Sequence, residues 1–130
     1  MQVASKELCE ELYKVSGWIS DSAHCITDEG HAWVSEWQHW YKDRFGKYVA
    51  PTRNGLGYTP VCPAYNADYL LDKIRNYDFT IVNLNRNILS LTSDSLDDPE
   101  AAILGKTLTE LLAKLAIQLF KQNILTPENK

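Results

Sequence analysis

The side chains best suited to chemistry fall in two clusters. The first is His24, Cys25, His31 and His39, with Asp21 and Asp28 nearby. Imidazole, thiolate and carboxylate all bind metals, but zinc sites space them as C-x-x-C or H-x3-H pairs, and no such spacing occurs here. These are therefore read as surface or half-buried histidines, with no metal and no cofactor. A thiol nucleophile needs a base within hydrogen-bond reach. His24 and Cys25 are adjacent, so on a strand they point to opposite faces and cannot pair directly. Cys62, before Pro63, would need a distant histidine. Cys25 and Cys62 are thus the only handles for a thiol enzyme, and with no G-x-S-x-G elbow and no Walker-type loop no catalytic residue is assigned.

The second cluster is aromatic. Trp33, Trp37, Trp40, Tyr41, Phe45, Tyr48 and Tyr58 are half of the chain's aromatic residues. They sit beside His39, Lys42, Asp43 and Arg44, which cannot all be buried with them. Trp33 and Trp37 are expected to fill the core against the last helix. Trp40, Tyr41, Arg44, Phe45 and Tyr48 are expected outside, as a binding surface, because exposed aromatics with an arginine are what protein interfaces use. The same chemistry can stack single-stranded bases. The net charge of −4 argues against nucleic acid as a partner, since phosphate binding needs clustered cations and the 13 Lys and Arg are scattered.

The elements that must position these groups start from the clearest helix, residues 107–123. Thr107 and Glu110 form a T-x-x-E capping box, and Glu110 and Lys114 make an i,i+4 pair. Leu104, Leu108, Leu111, Leu112, Leu115 and Leu119 form one apolar stripe. Ala113, Ile117, Phe120 and Ile124 form a second, nearly opposite. A surface helix has one such stripe. Two stripes predict either a helix held between a sheet and another helix of the same chain, or a homodimer whose face is Ala113, Ile117, Phe120 and Ile124.

Upstream, Ser5 caps a predicted helix over 5–16 that Gly17 ends, with Cys9 as a small core hydrophobe. Residues 18–41 are ambiguous. Trp33, Trp37, Trp40 and Tyr41 have helical spacing, but Trp33, Ser35, Trp37 and His39 also alternate as a strand does. The turn-like Asp28-Glu29-Gly30 tilts the reading to a hairpin, with strands near 18–26 and 31–40. Three of the six glycines and three of the five prolines lie in 42–63, which reads as one long loop. Asn66 caps a helix from Ala67 to about Arg75 that buries Ala67, Leu70, Leu71 and Ile74. Phe79–Leu84 and Ile88–Thr92 form a second hairpin with asparagines at its tip. A polar linker and a helical turn over Pro99–Leu104 lead to the last helix.

The result is an α+β fold in the order α-β-β-α-β-β-α, a small antiparallel sheet of two hairpins packed with three helices. At 130 residues it is a single domain, which removes about two-thirds of its surface from water on folding. Three cysteines at wide spacing imply no disulfide framework and suit a reducing cytoplasm. The stretch MQVASKELCEEL holds no apolar signal core, and nothing reaches the roughly 18 apolar residues of a membrane span.

Three stretches also carry a family likeness: SKELCEEL at 5–12, CPAYNADYLLDKI at 62–74 and ELLAKLAIQLF at 110–120. In this order they resemble a family of short uncharacterised bacterial proteins often found in prophages and other mobile elements. Members combine an amphipathic first helix, an aromatic-rich strand region, a helix opening PAY/F-T-x-x-E-L, a hairpin and a terminal A-K-L-x-I-x-L helix. This sequence departs in a longer 42–61 loop and in Asn66, where threonine is common. The resemblance implies an α+β fold and supplies no catalytic residues. Together with the aromatic cluster it leads to the expectation of a non-enzymatic, cytoplasmic protein-interaction module of phage or mobile-element type.

Overall fold

The computed structural model describes residues 2–27, 30–34, 41–42, 44–45, 48–49, 59–98 and 101–126. The three helices form where a cap and a 3.6-residue period coincide. Helix α1 is Lys6–Ser16, with the Ser5 side chain accepting from the Leu8 N–H and Gly17 stopping it at φ 72°. Helix α2 is Ala67–Ile74, capped when Asn66 Oδ1 accepts from the Tyr69 N–H at 2.8 Å. Helix α3 is Leu108–Lys121, where Thr107 Oγ1 accepts from the Glu110 N–H at 3.1 Å. The Glu110 carboxylate reaches the Lys106 N–H at 3.4 Å and the Lys114 ammonium at 3.1 Å.

The hairpins are β1 (Ser22–Thr27) with β2 (Gly30–Val34), and β6 (Thr80–Asn85) with β7 (Ile88–Thr92). They do not join into one sheet. Each instead gains a third strand from a segment that the sequence read otherwise. Strand β5 (Thr59–Ala64) lies within the expected loop and pairs antiparallel with β1, giving the order β2-β1-β5. Its Pro60 and Pro63 argue against a strand because proline cannot donate to a ladder, but β5 is an edge, where that loss is tolerated. Strand β8 (Ile103–Gly105) replaces the expected helical turn and pairs with β7, giving β6-β7-β8. Three residues are too few to show a period of two. A further ribbon, β3 (Tyr41–Lys42) with β4 (Tyr48–Val49), starts at the edge of the region read as loop and ends inside it.

Helix α3 is central. It packs on α1 and α2 on one side and on β7 and β8 on the other, while α1 also packs on β5. Gly105 lets α3 start close to the sheet, since a Cβ there would lie 3.1 Å from Leu111 Cδ2. This sandwiching answers the two-stripe puzzle. Leu111, Leu112, Leu115 and Leu119 are buried, and so are Ala113, Ile117 (3% exposed) and Phe120 (7% exposed). The proposed dimer face is thus core of a single chain, and only half-buried Ile124 has area left over. Phe120 is covered by Trp18, edge to face at a centroid distance of 5.1 Å. Leu104 and Leu108 leave the first stripe and are exposed, and so is Leu71 of α2.

Trp18 was expected on a strand. Residues 18–21 are not in one, because their polar groups are satisfied from elsewhere. The Tyr65 hydroxyl donates to the Trp18 carbonyl at 2.7 Å, the Tyr69 hydroxyl to the Ile19 carbonyl at 3.1 Å, and Ser20 Oγ to the Ala64 carbonyl at 2.7 Å. Tyr65 and Tyr69 stack at 5.5 Å, and the Lys73 ammonium sits 5.5 Å from the Trp18 ring centroid. The short α1–β1 connection is therefore clamped by side chains onto the end of β5, Tyr65 and α2.

Candidate functional site

Antiparallel pairing of β3 and β4 sets Tyr41 opposite Val49 and Lys42 opposite Tyr48. The ribbon thereby presents the turn residues Arg44 and Phe45. Both are exposed, Phe45 at 74%, and the Arg44 guanidinium carbon lies 5.1 Å from the Phe45 ring centroid. That is a cation held over an aromatic face, an attraction worth about 0.5–1 kcal/mol at an exposed site. The pairing brings the backbones of Tyr41 and Tyr48 to neighbouring rungs beside this turn. Trp40, the fifth residue expected here, lies outside the described residues, as do Trp37 and His39.

Trp33 lies outside the core. It was expected in the core, but on β2, an edge strand, it is 39% exposed. It stands opposite His24, on the same face and one strand further out. An alternating segment gives no sign of which strand ends up at the edge. The signal lay in the neighbouring Pro-rich segment, whose β5 takes the inner partner's other side.

The thiols are placed for structure. Cys9, Cys25 and Cys62 are all buried and free of disulfides. Burial pushes the Cys62 thiol up to about 12 and the Cys9 thiol up to about 11, so both stay protonated at neutral pH. A nucleophilic thiol needs the opposite shift. His24 is buried too, and its Nε2 sits 2.9 Å from the Ala4 carbonyl. A carbonyl only accepts, so Nε2 carries the proton. Cys9 Sγ donates to the same carbonyl at 3.5 Å, and Cys62 Sγ to the Lys6 carbonyl at 4.0 Å. Histidine and thiols therefore bind down residues 4–6, whose Ala4 N–H also donates to the Tyr65 carbonyl at 2.9 Å. The native protein should leave all three thiols unreacted with a neutral alkylating reagent over the minutes in which the denatured chain reacts fully. Fast labelling of Cys25 or Cys62 in the folded state, read by intact mass, would revive thiol chemistry.

Among the described residues no group of three or more His, Cys, Asp and Glu side chains converges to hold a metal, and no helix is long and apolar enough to cross a membrane. Comparison with known proteins returns no matching family model, no similar curated protein and no similar solved structure.

Proposed function

We propose that the chain is a small non-enzymatic protein-interaction module that engages a partner protein through the β3–β4 ribbon, with Trp40, Tyr41, Arg44, Phe45 and Tyr48 as the contact residues. The observation that carries this reading is Phe45, a large aromatic held mostly in solvent beneath a guanidinium. Burying such a side chain on a partner is worth about 1.5–3 kcal/mol, and aromatic and arginine residues supply most interface hot spots. Three free thiols fit a reducing cytoplasm. The phage or mobile-element setting rests on the likeness of residues 5–12, 62–74 and 110–120 alone.

The test compares tagged wild-type protein with Phe45→Ala and Arg44→Ala as baits, with retained proteins identified by mass. Both positions are exposed, so stability should move by less than about 0.5 kcal/mol. A partner retained by the wild type should be retained at least about tenfold less by Phe45→Ala. Equal retention overturns the ribbon as the contact surface. Salt-dependent retention of single-stranded DNA or RNA by the wild type, lost in Arg44→Ala, would move the reading to nucleic acid.

A further inference from the structure

The β3–β4 ribbon has a charge opposite to that of the rest of the chain. Residues 41–49, YKDRFGKYV, hold Lys42, Arg44 and Lys47 against Asp43, a net +2 in a chain of −4. Outside them, ten cations stand against sixteen carboxylates, a net −6. Lys42 is on β3, Arg44 is in the turn, and Lys47 directly precedes β4 in the sequence. Pairing of Lys42 with Tyr48 ties all three to one short piece of backbone.

Several cations elsewhere are answered within the chain. Lys6 meets Glu10 at 2.8 Å, Lys114 meets Glu110 at 3.1 Å, Lys121 meets Glu11 at 3.0 Å, and Arg75 lies 3.7 Å from Asp72. Arg44 meets no carboxylate among the described residues; its guanidinium faces the Phe45 ring and stays exposed. A guanidinium seated on a ring keeps its rim of N–H donors, which grip a carboxylate with two parallel bonds. Phe45 beside it offers apolar area. The pair therefore matches an apolar side chain with carboxylates next to it. A long polyanion is a poorer match. Nucleic acid that makes about 6–10 phosphate contacts would run off three cations and along a surface of its own sign. Charges are screened beyond about 8 Å at physiological salt. A short acidic segment thus meets the local positive charge of the ribbon, and a long polyanion meets the negative remainder as well.

We propose that the ribbon binds a short acidic segment of another protein. An aliphatic or aromatic residue of that segment covers Phe45, and flanking carboxylates meet Arg44, Lys42 and Lys47. This rests on the reading of the ribbon as a contact surface, and it adds the chemistry of what is contacted.

The probe is a displayed library of random peptides, each of about 12 residues and so up to about 40 Å long when extended. It is selected on the immobilised full chain, with Phe45→Ala and Arg44→Glu as parallel baits. Both side chains are exposed, so circular dichroism should not change in either variant. The enriched peptides should be more acidic than the unselected library, with an apolar residue among their acids. The tightest of them, labelled, should bind at least about tenfold more weakly to Arg44→Glu, because like charges then face each other. Raising salt from about 50 to about 200 mM should also weaken it, since the contact is exposed to screening. Enriched peptides that are neutral or basic, and are lost with Phe45→Ala, would keep the ribbon as a contact surface and overturn the acidic segment. Peptides held equally by both variants would overturn the ribbon itself, and the proposal with it. A selection that enriches nothing overturns the proposal. So does tighter binding of single-stranded oligo(dT), or of phosphatidylserine vesicles, than of any peptide.

Discussion

Trp18→Ala should unfold more readily than any surface variant by about 3–5 kcal/mol, the range for removing a buried tryptophan. Trp18 is 2% exposed, and it meets Phe120 at 5.1 Å and Tyr69 at 6.4 Å, both edge to face. Its removal would uncover Phe120 and take away one of the two rings that the Lys73 ammonium faces. A stability of 5–15 kcal/mol is usual for a domain of this size, so the variant should lose roughly a fifth or more of its margin. Guanidinium unfolding followed by circular dichroism gives the value. Trp18→Phe should lose markedly less, because it keeps an edge to offer Phe120. A loss below about 1 kcal/mol for Trp18→Ala would mean that the second stripe of α3 is covered by something else.

Alkaline pH should produce the other large effect. The folded chain holds the Cys62 proton up to about pH 12 and the Cys9 proton up to about pH 11, whereas an ordinary thiol releases it near 9. Folding therefore binds protons in that window. The thiol contribution is complete below about pH 9 and falls as pH rises towards 11 and 12. A tenfold change in proton affinity is worth ~1.4 kcal/mol, so the two thiols together account for a loss of several kcal/mol by pH 12. Burial drives the Tyr65 hydroxyl in the same direction. Unfolding free energies from pH 8 to 11 should fall, and Cys62→Ala should fall less steeply over that range. Identical slopes would show that burial of Cys62 is not the cause.

The helices could be read from the chain because each carries its own instructions: Ser5, Asn66 and Thr107 as caps, and apolar residues at helical spacing behind them. The two hairpins could be read for the same reason, from alternation and from their turn residues, Asp28-Glu29-Gly30 in the first and the asparagines around Arg86 in the second. Strands β5 and β8 could not. Pro60 and Pro63 are legible as breakers, and they become tolerable only once β5 is placed at an edge against β1, which depends on where α1 docks. Trp18 shows the same limit. Its carbonyl is bonded by Tyr65, 47 residues away, so nothing near it in the sequence says that the chain there is not a strand. At the candidate site, Arg44 and Phe45 were legible as an aromatic and a basic residue too polar in company to be buried. Trp33 was misplaced because alternation defines a face but not which strand is outermost.

The position of α3 has a consequence for synthesis. Both three-stranded sheets and the other two helices precede it in the chain, yet it is the element against which α1, α2, β7 and β8 all pack. While the polypeptide emerges from the ribosome, residues up to Thr92 can form hairpins but cannot hide the apolar sides that await Leu111, Leu115 and Leu119. At an elongation rate of roughly 5–20 residues per second, that interval lasts seconds. A nascent chain stalled before Thr107 would accordingly be a client for a chaperone that grips bare hydrophobic strands, and release from it would come with the last helix.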